Sequence, residues 1–187
     1  ADRYAHMAIH PYPSHLIHIW TLGDGTQITI RPIRPEDAEL EAEFVRRLSP
    51  ETKYFRFMTT LNELPPPMLA RLTQIDYDRE MAFIAVTTDK DGKEIELGVA
   101  RYAVNPDGES CEFAIVVDDE WQGRGLARRL MQVLIETARA RGLKYMTGIF
   151  LANNERMLRF VQSLGFTLTD DPEDRTIKKG ILPLQGS

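Results

Sequence analysis

The sequence predicts an α/β (α+β) fold: a mixed, mostly antiparallel sheet of about six to seven strands flanked by helices. Three observations carry that expectation. Apolar runs separated by compact turns fill residues 81–117, as hairpin neighbours do. The period then changes to that of a helix, with Leu126, Leu130, Val133, Leu134 and Ala138 on one face. Finally, strand and helix patterns alternate to the end of the chain. With 187 residues the chain fits one domain carrying a short appendage.

Residues 1–24 read as an N-terminal arm or linker, and residues 25–187 as the domain. All four histidines lie in the first segment, at His6, His10, His15 and His18. His6 and His10 have helical ligand spacing, but Pro11 and Pro13 would end such a helix, and no Cys, Asp or Glu completes a ligand set. No metal is expected there. From Gly25 onward Ile28, Ile30 and Pro32 alternate with Thr29, Arg31 and Ile33, which is a strand pattern. Pro35, Glu36 and Asp37 open a helix, with proline in the first turn and carboxylates at the positive end of the dipole. Leu40, Phe44, Val45 and Leu48 form its buried stripe. Ser49-Pro50-Glu51 restarts a short helix through Phe57, and the prolines at 65–67 lead into a helical turn over Met68 to Thr73.

Strands are then predicted over Met81 to Thr88, Glu94 to Val104 and Glu109 to Val117. Asn105-Pro106-Asp107-Gly108 turns between the last two. Arg139 and Arg141 sit at the negative end of the long helix, and Gly142 lies just beyond it. A strand over Leu143 to Phe150, a helix over Asn154 to Leu164, a strand start at Gly165 to Leu168 and a short strand near Arg175 to Lys178 complete the order.

Composition excludes several classes of function. Twenty-three basic against 28 acidic residues give a net charge of −5, which disfavours general nucleic-acid binding. The single cysteine, Cys111, allows neither an intrachain disulfide nor a CxxC site and suits a cytoplasmic protein. No apolar run has membrane-spanning length and no leader pattern is visible, so neither a membrane partner nor export is expected.

The most informative stretch runs from Glu112 to Arg129: strand, loop, glycine-bearing turn, amphipathic helix. Gly123 and Gly125 permit close backbone approach, and the first amides of the helix point at whatever lies there. Arg124, Arg128 and Arg129 add positive charge. This is an anion-site pattern, although a capped surface helix with a basic first turn also satisfies it. It is neither a dinucleotide fingerprint nor a phosphate loop, because Arg128 takes the third glycine position and no GK[ST] follows.

Gln122-x-x-Gly125-x-Ala127 resembles the Q/R-x-x-G-x-G/A motif of GNAT acetyltransferases, and Asn154 to Phe166 resembles their second motif. The resemblance implies a GNAT fold and acetyl-CoA as co-substrate. It implies cofactor contacts from Gln122, Gly123, Arg124, Gly125, Leu126, Ala127 and Arg128, from Asn154, and from the backbone of Ile115, Val116 and Val117. A narrower resemblance, on Arg31 to Asp37, Leu48 to Glu51 and Glu112 to Val117, is to the GNAT module of bacterial protein lysine acetyltransferases. Such modules often stand behind an acyl-CoA-synthetase-like (NDP-forming) region, and a chain starting at Ala1 fits a domain of a longer fused polypeptide. The implied partner is a protein substrate, a lysine on an AMP-forming acyl-CoA synthetase.

An amine must lose a proton before it attacks a thioester, so a general base is required. Glu112 is the candidate, since partial burial in an apolar strand would raise its basicity. The same resemblance places the base at Glu112. A solvated glutamate at a strand end is the competing reading. Many GNAT enzymes carry a tyrosine acid four residues before the Gly-Phe pair; here that position is Val161, and Phe160 has no hydroxyl either. Cys111 should face away from Glu112 as a core residue. Two other functions stay open: a small-molecule amine acetyltransferase, and a non-catalytic acetyl-CoA-sensing domain.

Overall fold

The computed structural model describes residues 11–186. Its strands are β1 (His18–Thr21), β2 (Gln27–Pro32), β3 (Glu80–Thr88), β4 (Glu94–Val104), β5 (Ser110–Val117), β6 (Tyr145–Leu151), β7 (Thr167–Asp170) and β8 (Ile177–Pro183). They form one sheet in the order β1-β2-β3-β4-β5-β6-β8-β7. Every neighbouring pair is antiparallel except β5 and β6. A parallel pair needs a crossover, and helix α4 (Leu126–Ala140) supplies it.

Helices cover both faces. On one lie α1 (Ala38–Arg47), α2 (Pro50–Phe57) and α3 (Pro66–Thr73), packed around Phe44, Leu48, Leu72, Ile84 and Val116. On the other, α4 and α5 (Glu155–Ser163) bury Leu130, Leu134, Leu158 and Val161 against Phe83, Tyr102, Phe113 and Phe166. The helical stripe expected at 126–138 is therefore the one that meets the sheet.

The sheet has one strand more than the seven runs identified in the sequence. The additional strand is β1, inside the segment expected to be an arm. It pairs with β2 from His18↔Ile30 to Thr21↔Gln27, so the ordered sheet begins seven residues before the expected boundary at 25. The connection is a tight turn: Leu22 N–H donates to Thr26 O, Thr26 N–H donates to Asp24 Oδ1, and Gly25 has φ +90°. Asp24-Gly25 is a hairpin signal, and the expected boundary at 25 falls on it. β8 also runs further than expected, to Pro183, because β6 offers it a full partner edge. His6 and His10 lie outside the described residues. Among the described residues no group of three or more His, Cys, Asp or Glu can hold a metal.

One buried ion pair ties β2 to the start of α1. Arg31 Nη1 and Nη2 donate to Asp37 Oδ2 and Oδ1 at 2.8 Å each, and Arg34 N–H donates to Asp37 Oδ2 at 2.9 Å. The paired side chains are 6% and 2% exposed. Burial works against the Arg31 charge, but Asp37 more than compensates and holds the guanidinium protonated. Removing one partner of such a pair leaves an uncompensated buried charge. Asp37→Ala is expected to lower unfolding free energy by about 3–5 kcal/mol, read from the urea midpoint. A loss below about 1 kcal/mol would show that the pair does not anchor α1.

Candidate active site

The site starts where β5 leaves β6. The two strands pair only at Ser110↔Tyr145, Cys111↔Met146 and Glu112↔Thr147. Beyond Glu112, β5 stays paired with β4 to Val117, while its other edge has no β6 partner from Phe113 onward. Phe113 and Gly148 come next in register. A Cβ at 148 would lie 2.5 Å from the Phe113 ring, so the ring occupies the space a side chain there would need.

The loop after β5 is tied down on both sides. Asp118 N–H donates to Leu97 O at 2.8 Å, and the Asp118 carboxylate accepts from Glu120 N–H at 2.9 Å. Asp119 accepts from Ser49 N–H at 2.8 Å, Ser49 Oγ at 3.0 Å and Thr52 Oγ1 at 2.5 Å, which fastens the loop to the start of α2. Partial burial pushes Asp119 up, but the bonds from Thr52 and Ser49 prevail and hold it below its ordinary value. Gly123 and Gly125 follow at φ +80° and +87°, left-handed conformations that suit glycine. Gly125 is the N-cap of α4, and no side chain caps the helix. The first amides, of Leu126, Ala127 and Arg128, thus point out of the helix end without an intrahelical partner.

These pieces border a cavity of about 410 Å³, lined by Thr52, Arg56, Ile115–Val117, Gln122, Gly123, Gly125, Ala127, Arg128, Asn154, Arg156 and Phe160. Most of the residues singled out from the sequence therefore meet in one place. Gln122 braces the wall: its Nε2 donates to Val117 O at 3.2 Å and its Oε1 accepts from Arg156 Nη1 at 2.9 Å. Asn154 lines the cavity and also caps α5, accepting from Met157 N–H at 3.4 Å. Two expected residues stand apart. Leu126 buries its side chain in the core, so only its backbone faces the site. Arg124 lies over the Trp121 ring, 4.9 Å from its centroid, outside the cavity lining. Arg156, Thr52 and Arg56 were not singled out from the sequence. Arg156 is two residues past Asn154 in the same motif and was within reach. Thr52 and Arg56 arrive from α2, some sixty residues away in the chain, which no local pattern signals.

Glu112 lies in an adjoining cavity of about 290 Å³ with Arg56, Met58, Glu80, Arg101, Phe113 and Ile149. The expectation that it would be partly buried is not met, because Glu112 is exposed. Its lateral neighbours are the exposed Ala103 and the half-buried Thr147, too small to cover it. Cys111 behaves as expected: it is fully buried on the opposite face, and burial pushes its thiol up to about 12, so it is no nucleophile at neutral pH. Val161 is also fully buried, and among the described residues no tyrosine lines the larger cavity.

An open strand edge beside an uncapped helix start, with arginines at the wall, suits a long anionic ligand that presents amides and phosphates. Comparison with known proteins agrees. The acetyltransferase (GNAT) family model matches residues 43–166, and the chain belongs to that family. It is 41% identical over 156 residues to acetyltransferase PA5475 of Pseudomonas aeruginosa, covering 83% of each chain. Acetyltransferase Pat of Mycolicibacterium smegmatis is 27% identical over 141 residues, and the match spans only 41% of that protein. The crystal structure of the GNAT domain of S. lividans PAT superposes with a TM-score of 0.81 at 26% identity, covering 92% of this chain and 99% of that one. The protein is thus an acetyltransferase of a family that uses acetyl-CoA.

Gly125→Ala would force a side-chain-bearing residue to φ +87° at the cap of α4, at about 1–2 kcal/mol. Calorimetric titration is expected to show acetyl-CoA affinity at least tenfold lower in the variant. Unchanged affinity would mean that the start of α4 does not hold the ligand.

Proposed function

We propose that the protein moves the acetyl group of acetyl-CoA to a lysine side chain of a protein, with Glu112 as general base. The observation that carries this reading is the continuity of β5. One strand brings Glu112 to the smaller cavity and an open edge over Ile115–Val117 to the larger, and Arg56 lines both. A reacting amine beside Glu112 and a thioester along Ile115–Val117 would therefore meet at the junction.

In this scheme the backbone of Ile115 to Val117 pairs with the pantetheine of the donor substrate. The amides of Leu126, Ala127 and Arg128, with Gly123 and Gly125 giving room, take its pyrophosphate. Gln122, Arg156 and Asn154 form the opposite wall. The lysine ammonium gives its proton to the Glu112 carboxylate and the freed nitrogen attacks the thioester carbonyl. The tetrahedral intermediate gives the second nitrogen proton to solvent and collapses to the amide, releasing the CoA thiolate. Val161 offers no proton, so the thiolate leaves as an anion or is protonated by water. The exposure of Glu112 suits a lysine presented by another protein, and it lets the captured proton pass to solvent.

The resemblance to protein lysine acetyltransferases and the likeness to the S. lividans PAT domain support a protein acceptor. An AMP-forming acyl-CoA synthetase is the proposed partner, and attachment to an acyl-CoA-synthetase-like region remains part of the same proposal. The test is the intact mass of such a synthetase incubated with acetyl-CoA and enzyme. One added acetyl group is expected with the natural protein. Glu112→Gln should transfer about 100- to 10,000-fold more slowly while binding acetyl-CoA normally. No added mass, or an unaffected Glu112→Gln rate, would contradict the reading.

A further inference from the structure

Two guanidiniums, of Arg56 and Arg101, line the smaller cavity together with the carboxylates of Glu80 and Glu112, and among the described residues neither arginine hydrogen-bonds a carboxylate. Arg56, on α2, makes no hydrogen bond or ion pair to a carboxylate among the described residues; its guanidinium lies over the Phe57 ring, 4.8 Å from the centroid. Burial, and after it the Arg101 cation, pulls Arg56 down to about 10, which still leaves it charged at neutral pH. Arg101, on β4, has a side chain only 14% exposed. Its Nη1 donates to Leu72 O at 3.1 Å, but Nε and Nη2 are buried without a hydrogen-bond partner. The nearest carboxylate to Nη2 is that of Glu41, at 3.9 Å, too far for a hydrogen bond. Glu96, fully buried, is pushed well above the ordinary carboxylate range by burial and by Glu41, so it adds little counter-charge. Glu41 thus serves Arg101 as an ion-pair partner without hydrogen-bonding it, and the half-buried Arg56 meets no carboxylate, so both guanidiniums keep donors free for an anion.

The strand register places this pair relative to Glu112. Glu80, Ala103, Glu112 and Thr147 form one row across β3 to β6, and Ala82, Arg101 and Ala114 form the next. Rows two residues apart on one face are separated by about 7 Å. The alanines on either side of Arg101 leave open space next to it. One row therefore offers carboxylates, which attract an ammonium, and the next offers guanidinium donors, which attract a carboxylate.

We infer that Arg56 and Arg101 form an acceptor subsite for a carboxylate carried a few ångströms from the reacting amine. This rests on the reading above that Glu112 marks the acceptor end. The carboxylate is either that of a free amino acid or an acidic side chain flanking a lysine, and the chemistry of recognition is the same for both.

Two acceptor pairs test it, with initial rates of CoA release at saturating acetyl-CoA. The first is leucine against leucinamide. The second is a capped Glu-Lys-Glu peptide against its Gln-Lys-Gln twin. In at least one pair the carboxylate member should exceed its neutral twin at least tenfold in kcat/KM, even though leucinamide is the more readily deprotonated amine. In Arg56→Gln that ratio should fall toward one, and Arg56→Lys, which keeps charge and loses the fork, should retain part of it. Circular dichroism and the urea midpoint verify that both variants are folded. A preference in the leucine pair assigns a free amino acid, and one in the peptide pair assigns an acidic lysine context. Equal rates within both pairs, or a preference surviving in Arg56→Gln, overturn the subsite and leave the Glu112 reading standing. Failure to acetylate any of the four while acetyl-CoA binds overturns both.

Discussion

The parting of β5 from β6 after Glu112 is the constraint on which the rest of the site depends. Three residue pairs join the strands, and then the Phe113 ring lies against Gly148, where no side chain stands. Phe113 packs further onto Phe150 and Phe166, with centroids 5.8 and 5.1 Å away. This aromatic cluster fills the core below the split. Above it β5 keeps β4 on one side and exposes backbone on the other, an arrangement a continuous sheet cannot offer. The same divergence gives the Gly123–Gly125 turn room to bring the start of α4 alongside that edge. The larger and the smaller cavity are then served by two ends of one strand.

Charge is distributed to match. The chain is acidic overall, yet Arg56, Arg128 and Arg156 line the larger cavity. Asp119 holds the turn region to α2 through Ser49 and Thr52, which keeps Arg56 at the junction. Arg31 and Asp37 anchor the preceding helix to β2. The helices beside the two cavities are therefore fastened by polar contacts at their ends as well as by apolar packing.

Much of this was legible in the sequence, for identifiable reasons. The helical stripe of α4, the Asn105–Gly108 turn and the glycine pair at 123 and 125 are local signals, and each is where it was expected. Strand β1 carries too little periodicity to be read because it is only four residues long, although Asp24-Gly25 announces a hairpin. The exposure of Glu112 could not be read from an apolar strand, since it depends on Ala103 and Thr147 across the sheet. Arg56 and Arg101 are brought together by tertiary packing alone. They look like surface charges in the linear chain.

The most direct measurement of the account is amide hydrogen exchange with and without saturating acetyl-CoA, resolved by residue. Slower exchange is predicted at Ile115, Val116 and Val117 and at Leu126, Ala127 and Arg128, the open edge of β5 and the start of α4. Protection confined to other segments, with these six amides unchanged, would contradict the claim that the divergence of β5 and β6 creates the donor site.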